Sequence, residues 1–516
     1  MPISINHHQR NLALWGFALF ILAAVVRWIP GIRIIDDAYI TFRYVENILD
    51  GHGFVYNLGD PVLGTTTPLY TLMLVSITWL FQFTGAQIPD LAVGFNAALD
   101  GITCLVLWRL GTHLHSSKAG VGTAVLWAFA PFSVTFSIGG LETSLLVLLL
   151  ISSVYAYQKD NKALSAFLGS LAILTRPDAV ILVGLLSLHF MIDLIKNRSR
   201  GFFKEACALI IPLAIWGVIS TFLFGSPIPQ SVQAKMVAYH LPEAAALIRL
   251  IQHYATPFML HYVVGAPVAI AIGMILYPFL FVVGARQALR ADPRIIPFVL
   301  YPWLYFVIFS AANPLIFRWY LTPPLPAYFL FIIIGAETIS VSILAKLNWR
   351  KSIKQAVIWS AILVLPLLST LSAWELKPDH GPNRPAPQMA WIKLELIYEQ
   401  IAIALLPDIK SNTVIAAGDV GALGYVTKAS ILDTVGLNSP QAVAYYPLPP
   451  EAYVINYAIP SELILDYRPD IIVFLEIYGR NTLLQNDRFL ETYRPYLEIP
   501  TTIYGSKAMY VYRLAP

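Results

Sequence analysis

Asp36 and Asp37 are adjacent, and they stand a few residues beyond the first long apolar run, Asn11 to Ile29. That run is about one bilayer crossing long, so the pair emerges just outside the hydrocarbon. Two neighbouring carboxylates at a membrane boundary are costly to desolvate, and taking a proton from a substrate hydroxyl is chemistry that uses them. The plain alternative is a pair of solvated loop carboxylates.

The elements that must position this pair are membrane helices. Hydrophobic residues make up 57% of the 516 and charged residues 12%, which indicates a polytopic α-helical membrane protein and excludes a soluble fold. The net charge of +4 is small and its basic residues cluster in short loops, so it reports orientation and gives no sign of nucleic-acid binding. Cys104 and Cys207 lie inside apolar segments and form no exposed disulfide framework. His7, His8 and Arg10 precede the first apolar run without a small-residue cleavage signature, which reads as a retained first span.

Apolar segments run over 11–29, 68–84, 90–110, 119–138, 141–157, 162–195, 206–224, 263–285, 295–311, 317–343 and 354–374. The 162–195 stretch is long enough for two spans and breaks at Arg176-Pro177. Basic loops at Lys196 to Lys204, Arg286 to Arg294 and Lys346 to Lys354 come out cytoplasmic by the positive-inside rule. A cytoplasmic N-terminus agrees with these loops only if one segment between residues 30 and 90 does not cross. Pro68 to Thr84, short and without flanking basic residues, is read as a juxtamembrane or re-entrant helix within the first outer loop, 30–89, leaving about 11 spans. The same parity gathers Asp36, Asp37, Arg43, His52, Glu142, Arg176, Asp178, Lys235, His253, Arg318 and Tyr320 on the outer face. Singly, Arg176 and Arg318 read as snorkelling residues, and Glu142 and Asp178 as helix-terminal residues. Together they read as a site.

The membrane core is assigned to 1–374. From Glu375 the composition turns mixed, and 375–516 is long enough for one extracytoplasmic α/β domain. Thr413 to Ala417, Ser430 to Val435 and Asp470 to Leu475 are β-rich, and Gly418-Asp419-Val420-Gly421 between the first two suggests strand, turn and helix. These glycines make no dinucleotide fingerprint, and no Gly-Lys-Ser/Thr or Cys/His metal spacing occurs. Asp419 and Asp433 are expected to be turn and cap residues.

The stretch from Asp36 to Tyr70, opening Asp-Asp-Ala-Tyr and continuing Phe42-Arg43-Tyr44, resembles the first outer loop of the GT-C glycosyltransferases, closest to the cell-wall arabinofuranosyltransferase-like branch. Gly140-Leu141-Glu142-Thr143, Leu174-Thr175-Arg176-Pro177-Asp178, Arg318-Trp319-Tyr320-Leu321, Gly418-Asp419-Val420-Gly421, Asp433 with Gly436-Leu437, and Tyr467-Arg468-Pro469-Asp470 resemble further family positions. Tyr70 stands where the family commonly has Trp, so no sugar identity is carried over.

The resemblance implies transfer of a sugar from a polyprenyl-phosphate carrier to an envelope glycan, lipid or protein acceptor on the outer face. In an inverting displacement Asp36 would take the acceptor's proton, and Asp37 would orient the acceptor or help place a divalent cation. The phosphate leaving group needs cationic clamping, for which Arg318, Lys235 and Arg176 are the candidates, fixed by Glu142 and Asp178. Arg43, His52 and Tyr320 complete the expected substrate-binding set, and the C-terminal domain is expected to position the acceptor. The competing reading is a transporter or flippase, which would place ionisable residues near mid-membrane on broken helices.

Overall fold

The structure, a computed structural model, describes residues 7–196, 202–376 and 392–516. Helix α1 (His7–Trp28) leads through a short connector to α2 (Asp36–Leu49), which begins at the aspartate pair. Acidic residues in the first turn suit the positive end of the helix dipole. One stripe of α2, Ala38, Phe42 and Val45, packs into the membrane core, while Ile40 and Tyr44 enter the core of the C-terminal domain. The spacing i, i+4, i+7 on one face and i, i+4 on another lets this single helix join the two bodies.

After α3 (Pro68–Phe81) comes the long α4 (Ile88–Leu114). Next, α5 (Ser117–Phe129) and α6 (Pro131–Ile138) form one apolar segment bent by 49°. The bend has a covalent cause, since Pro131 has no N–H to donate and Ala130 is extended. Then follow α7 (Thr143–Gln158), α8 (Lys162–Thr175), α9 (Val180–Lys196) and α10 (Phe203–Phe224). Short helices α11 (Gln230–Val237), α12 (Ala245–Ala255) and α13 (His261–Val264) lead to α14 (Ala266–Ala291), α15 (Ile296–Ala312) and α16 (Leu325–Ala345). Last in the membrane body, α17 (Lys351–Trp359) and α18 (Leu365–Leu371) are joined by a π-helical turn, Ser360–Val364. Helices α14 and α16 approach closely because Gly284 and Gly335 face each other's backbones. A Cβ there would stand 1.9 Å from the Phe331 oxygen or 2.0 Å from the Leu280 oxygen.

Among the described residues seven helices are long and apolar enough to cross a membrane, eight if the bent pair counts as one span. The expected count of about 11 is therefore not reached by long helices. Leu14–Trp28, Thr143–Gln158 and Lys162–Thr175 are apolar but shorter. At 1.5 Å per residue the 16 residues of α7 reach only about 24 Å. The break expected at Arg176-Pro177 is present, since α8 ends at Thr175 and α9 follows a 3-10 turn. Both cysteines are free.

The two ends of the helical body differ. At one, His113 meets Asp292 at 3.3 Å, Arg294 meets Asp292 at 2.9 Å and His115 meets Glu337 at 3.5 Å, beside the basic segments 286–294 and 346–354. At the other stand the start of α2, the start of α7, the end of α8 and the approach to α16, here called the site end. Helix α4 runs from the site end to the basic end. Helix α3 begins at the site end, where the Tyr70 hydroxyl donates to the Gly140 carbonyl at 2.9 Å, and returns to the start of α4. The charge count requires both ends of α3 to lie on one side of the membrane. In a background lacking Cys104 and Cys207, His52→Cys and Gln87→Cys should label from the same side of a sealed vesicle and Lys346→Cys from the other. Opposite labelling at positions 52 and 87 would show that α3 crosses.

The C-terminal domain opens with α19 (Ile392–Leu405). Strand β1 (Val414–Ala417) is followed by α20 (Gly421–Thr427) and β2 (Ser430–Asp433), and then by β3 (Ile471–Leu475), β4 (Tyr493–Pro500) and β5 (Ala508–Leu514). The sheet order is β2-β1-β3-β5-β4, parallel among the first three and antiparallel thereafter. The three β-rich runs of the sequence are the three parallel strands. Strand β4 is buried only at Tyr493, is otherwise exposed or half-buried, and carries Pro495 and Pro500, which hid it from a reading based on β-rich runs. The expected boundary at 375 directly precedes residues 377–391, which lie outside the described residues.

Candidate active site

Asp36 and Asp37 point to different places although they are neighbours. The two carboxylate oxygens of Asp36 accept the backbone N–H groups of Gly421 and Ala422, both at 2.8 Å, so Asp36 fastens the first turn of α20 to α2. Contact is close enough that a Cβ at Gly421 would lie 1.8 Å from the Asp36 carbonyl oxygen. Burial and the nearby Asp419 push the Asp36 pKa up, and the two amides pull against them. Asp37 is half-buried and lies 4.0 Å from Lys235. It is the more open of the pair.

A compact ionic cluster stands beside Asp37. The Arg176 guanidinium makes two hydrogen bonds to Asp178, at 2.9 and 2.8 Å, lies 3.6 Å from Glu142 and stacks on Tyr320 at 4.6 Å. Tyr305 donates to Asp178 at 3.0 Å and to the Tyr320 carbonyl at 2.7 Å. Lys235 rests over the Phe317 ring. Burial lowers its pKa, but Tyr320, Asp37 and Glu142 outweigh that and hold it charged. Asp37, Glu142, Arg176, Lys235 and Tyr320 line one small polar pocket together with Thr65 and Thr67.

Above this pocket a cavity of about 250 Å³ opens between the membrane body and the C-terminal domain. Its membrane wall carries Asp36, Asp37, Arg249 and Arg318, and its other wall Glu395, Asp419, Tyr457 and Tyr478. Arg249 and Arg318 also line a cleft of about 690 Å³ with His253, His261 and Trp374. The two arginines thus stand where one space meets the other.

Not every expected residue is at the site. Arg43 is buried, donates to the carbonyls of Gly424 and Ala429 at 2.8 and 2.7 Å and stacks on Tyr56. It is an anchor between the two bodies and cannot reach a substrate. His52 is exposed in the turn after α2 and lines neither cavity. Both were drawn in by sequence proximity to the aspartates, which a helix then carries away. Asp433 behaves as the expected turn residue, accepting the amides of Val435, Gly436 and Asn438. Asp419 does not, for its carboxylate accepts the Tyr398 hydroxyl at 2.8 Å and faces the cavity.

Residues missed by the sequence reading are Arg249, Glu395, Tyr457 and Tyr478. One signal was available. Gly418-Asp419 follows β1, Val435 follows β2 and Tyr478 follows β3, so the cavity lies at the carboxyl ends of the parallel strands, where open α/β sheets bind ligands. Among the described residues no group of three or more His, Cys, Asp or Glu side chains is arranged to hold a metal ion.

The turn carrying Glu142 is held from below by a knot inside the membrane body. Arg27, fully buried, donates to Asp100 at 3.0 Å, to the Ala128 carbonyl at 2.5 Å and to Ser133 at 2.5 Å. Its contact with Ala128 falls beside the α5–α6 break, where the helical ladder is interrupted. Beyond α6, the carbonyls of Ile138 and Gly139 accept the amides of Arg33 and Ile35, each at 3.1 Å. This short backbone pairing sets where Asp36 begins.

Residues 388–512 match a family described as a domain of unknown function (DUF8728). A terminal β-(1→2)-arabinofuranosyltransferase of Mycobacterium tuberculosis (strain ATCC 25618 / H37Rv) is 27% identical over 232 residues, 41% of this chain. The chain covers 35% of that relative's length. The crystal structure of ArnT from Cupriavidus metallidurans bound to undecaprenyl phosphate matches with a TM-score of 0.55 at 13% identity, covering 97% of this chain and 98% of that one. The Archaeoglobus fulgidus oligosaccharyltransferase in complex with Zn and sulfate matches with a TM-score of 0.52 at 12% identity, covering 95% and 72%.

Proposed function

From the GT-C glycosyltransferase fold that this chain has, we propose that it transfers a sugar from a polyprenyl-phosphate carrier to a hydroxyl of a cell-envelope glycan, lipid or protein. The observation that carries this reading is the meeting of opposite charges in one cavity, with Asp37 and Asp419 on its facing walls and Arg249 and Arg318 where it joins the larger cleft. An acceptor hydroxyl gives its proton to the Asp37 carboxylate as its oxygen bonds to the sugar's anomeric carbon. The bond from that carbon to phosphate breaks, and polyprenyl phosphate leaves with the electron pair. A single displacement inverts the anomeric configuration. The phosphate needs charge compensation and no proton, which suits two guanidinium groups.

Asp37 replaces Asp36 as the proton acceptor in this reading. A buried carboxylate with an amide on each oxygen is fixed against α20, whereas Asp37 is half-buried and open to the cavity. Lys235 and the Arg176 cluster fix the charge around it. No step is routed through a metal. The site end faces away from the cytoplasm, supported by the basic segments at the opposite end, with the N-terminus of α1 cytoplasmic. A transporter would gather its ionisable groups at mid-membrane, whereas the Arg27–Asp100 pair there lines neither cavity.

The test is turnover by the purified full chain with the polyprenyl-phosphate-sugar fraction of the source membranes, read as released polyprenyl phosphate and glycosylated acceptor. Nucleotide sugars should give none. Arg249→Ala and Arg318→Ala should each raise the donor KM by about ten- to a hundredfold, the loss of one charge-assisted contact, with a much smaller change in acceptor KM. An effect confined to acceptor KM would reverse the assignment of the two poles.

A further inference from the structure

Glu395, on the first turn of α19, is 4% exposed and lies on the wall of the 250 Å³ cavity. Burial pushes its carboxyl pKa up, and the backbone amides of Glu395 itself and of Asp36 pull against this. Oε2 is buried and, among the described residues, has no hydrogen-bond partner. A buried polar atom without a partner is destabilising, and a ligand hydroxyl would complete its bonding.

The surroundings select the ligand. Asp36, Asp37 and Asp419 share the cavity with Glu395, while Arg249 and Arg318, assigned above to the donor phosphate, stand where it meets the larger cleft, so an anionic group seated at Glu395 meets several carboxyl groups. The ring faces of Tyr239, Tyr457 and Tyr478 offer apolar contact, and the space is sized for about one or two sugar rings. A neutral polyol satisfies both constraints. On the transferase reading above, on which this inference rests, we infer that Glu395 is a specificity-determining residue of the acceptor subsite, with Oε2 hydrogen-bonded to a hydroxyl of a neutral saccharide. Burial, reinforced by Asp36 and Asp419, pushes its pKa up and so favours the protonated form, which donates to that hydroxyl oxygen.

The experiment uses the full chain, the polyprenyl-phosphate-sugar fraction as donor and neutral oligosaccharides released from the envelope by mild acid as acceptor. Glu395→Leu should raise acceptor KM about tenfold while leaving donor KM unchanged. Glu395→Gln, which also offers one donor and one acceptor, should stay within about twofold of the parent, since its hydrogen-bonding inventory matches a protonated carboxyl. The same oligosaccharides oxidised to uronic acids should be poor acceptors. An unchanged acceptor KM in Glu395→Leu, an equal rise in donor KM, or equal loss in both variants accompanied by a lower Tm would overturn the inference and leave Glu395 with a structural role alone. Failure of the unmodified chain to use any polyprenyl-phosphate sugar would instead overturn the transferase reading.

Discussion

Asp37→Asn is expected to lower kcat by about 10²- to 10⁴-fold, the range that a positioned general base supplies. The change is nearly isosteric, the side chain is half-buried and its ionic partner is the half-buried Lys235, so the fold should survive. Asp36→Asn should behave differently. An asparagine oxygen can keep one of the two amide hydrogen bonds from α20, but its NH₂ faces the other amide donor-to-donor. That variant should loosen the C-terminal domain by about 1–3 kcal/mol and lose activity in proportion to the undocked fraction. Measuring kcat and Tm for both variants separates the roles. Full loss of kcat in Asp36→Asn at unchanged Tm, with Asp37→Asn active, would return the base to Asp36.

Arg27→Met should be the most destabilising single change in the membrane body. It leaves Asp100 buried and unpaired, and breaking such a pair costs about 3–5 kcal/mol. Adding Asp100→Leu removes the stranded charge and should recover much of the Tm. Activity should not return with it. The Ala128 carbonyl and Ser133 still lack their donor, so the α5–α6 bend relaxes and shifts the 138–142 turn against which residues 33–35 pair. Because the catalytic geometry tolerates only small displacements, a stable double variant should remain at least about 10²-fold slow in kcat. A double variant with normal kcat and normal Tm would show that the bend sets itself and that the pair is only filling.

Most of the membrane architecture is written in the sequence, because a bilayer tests every segment by length and charge before any tertiary contact forms. The apolar runs and the break at Arg176-Pro177 follow from that test. So does the grouping of Glu142, Arg176, Asp178, Lys235 and Tyr320, which parity alone brings to one end. β-rich composition likewise marked the three strands around Gly418-Asp419. What the sequence could not carry is which way a side chain turns where two bodies meet. Asp36 and Asp37 are equivalent as text. Only the docking of α20 against α2 takes one carboxylate for two backbone amides and leaves the other open. Arg43 was drawn into the site and Asp419 out of it for the same reason, since α2 is buried on two faces by separate cores and the carboxyl ends of β1, β2 and β3 are turned toward the membrane body. Arg249 and Glu395 reach the cavity from segments hundreds of residues away from the aspartates. Their contribution depends on contact across the interface, and no local pattern of residues encodes that contact.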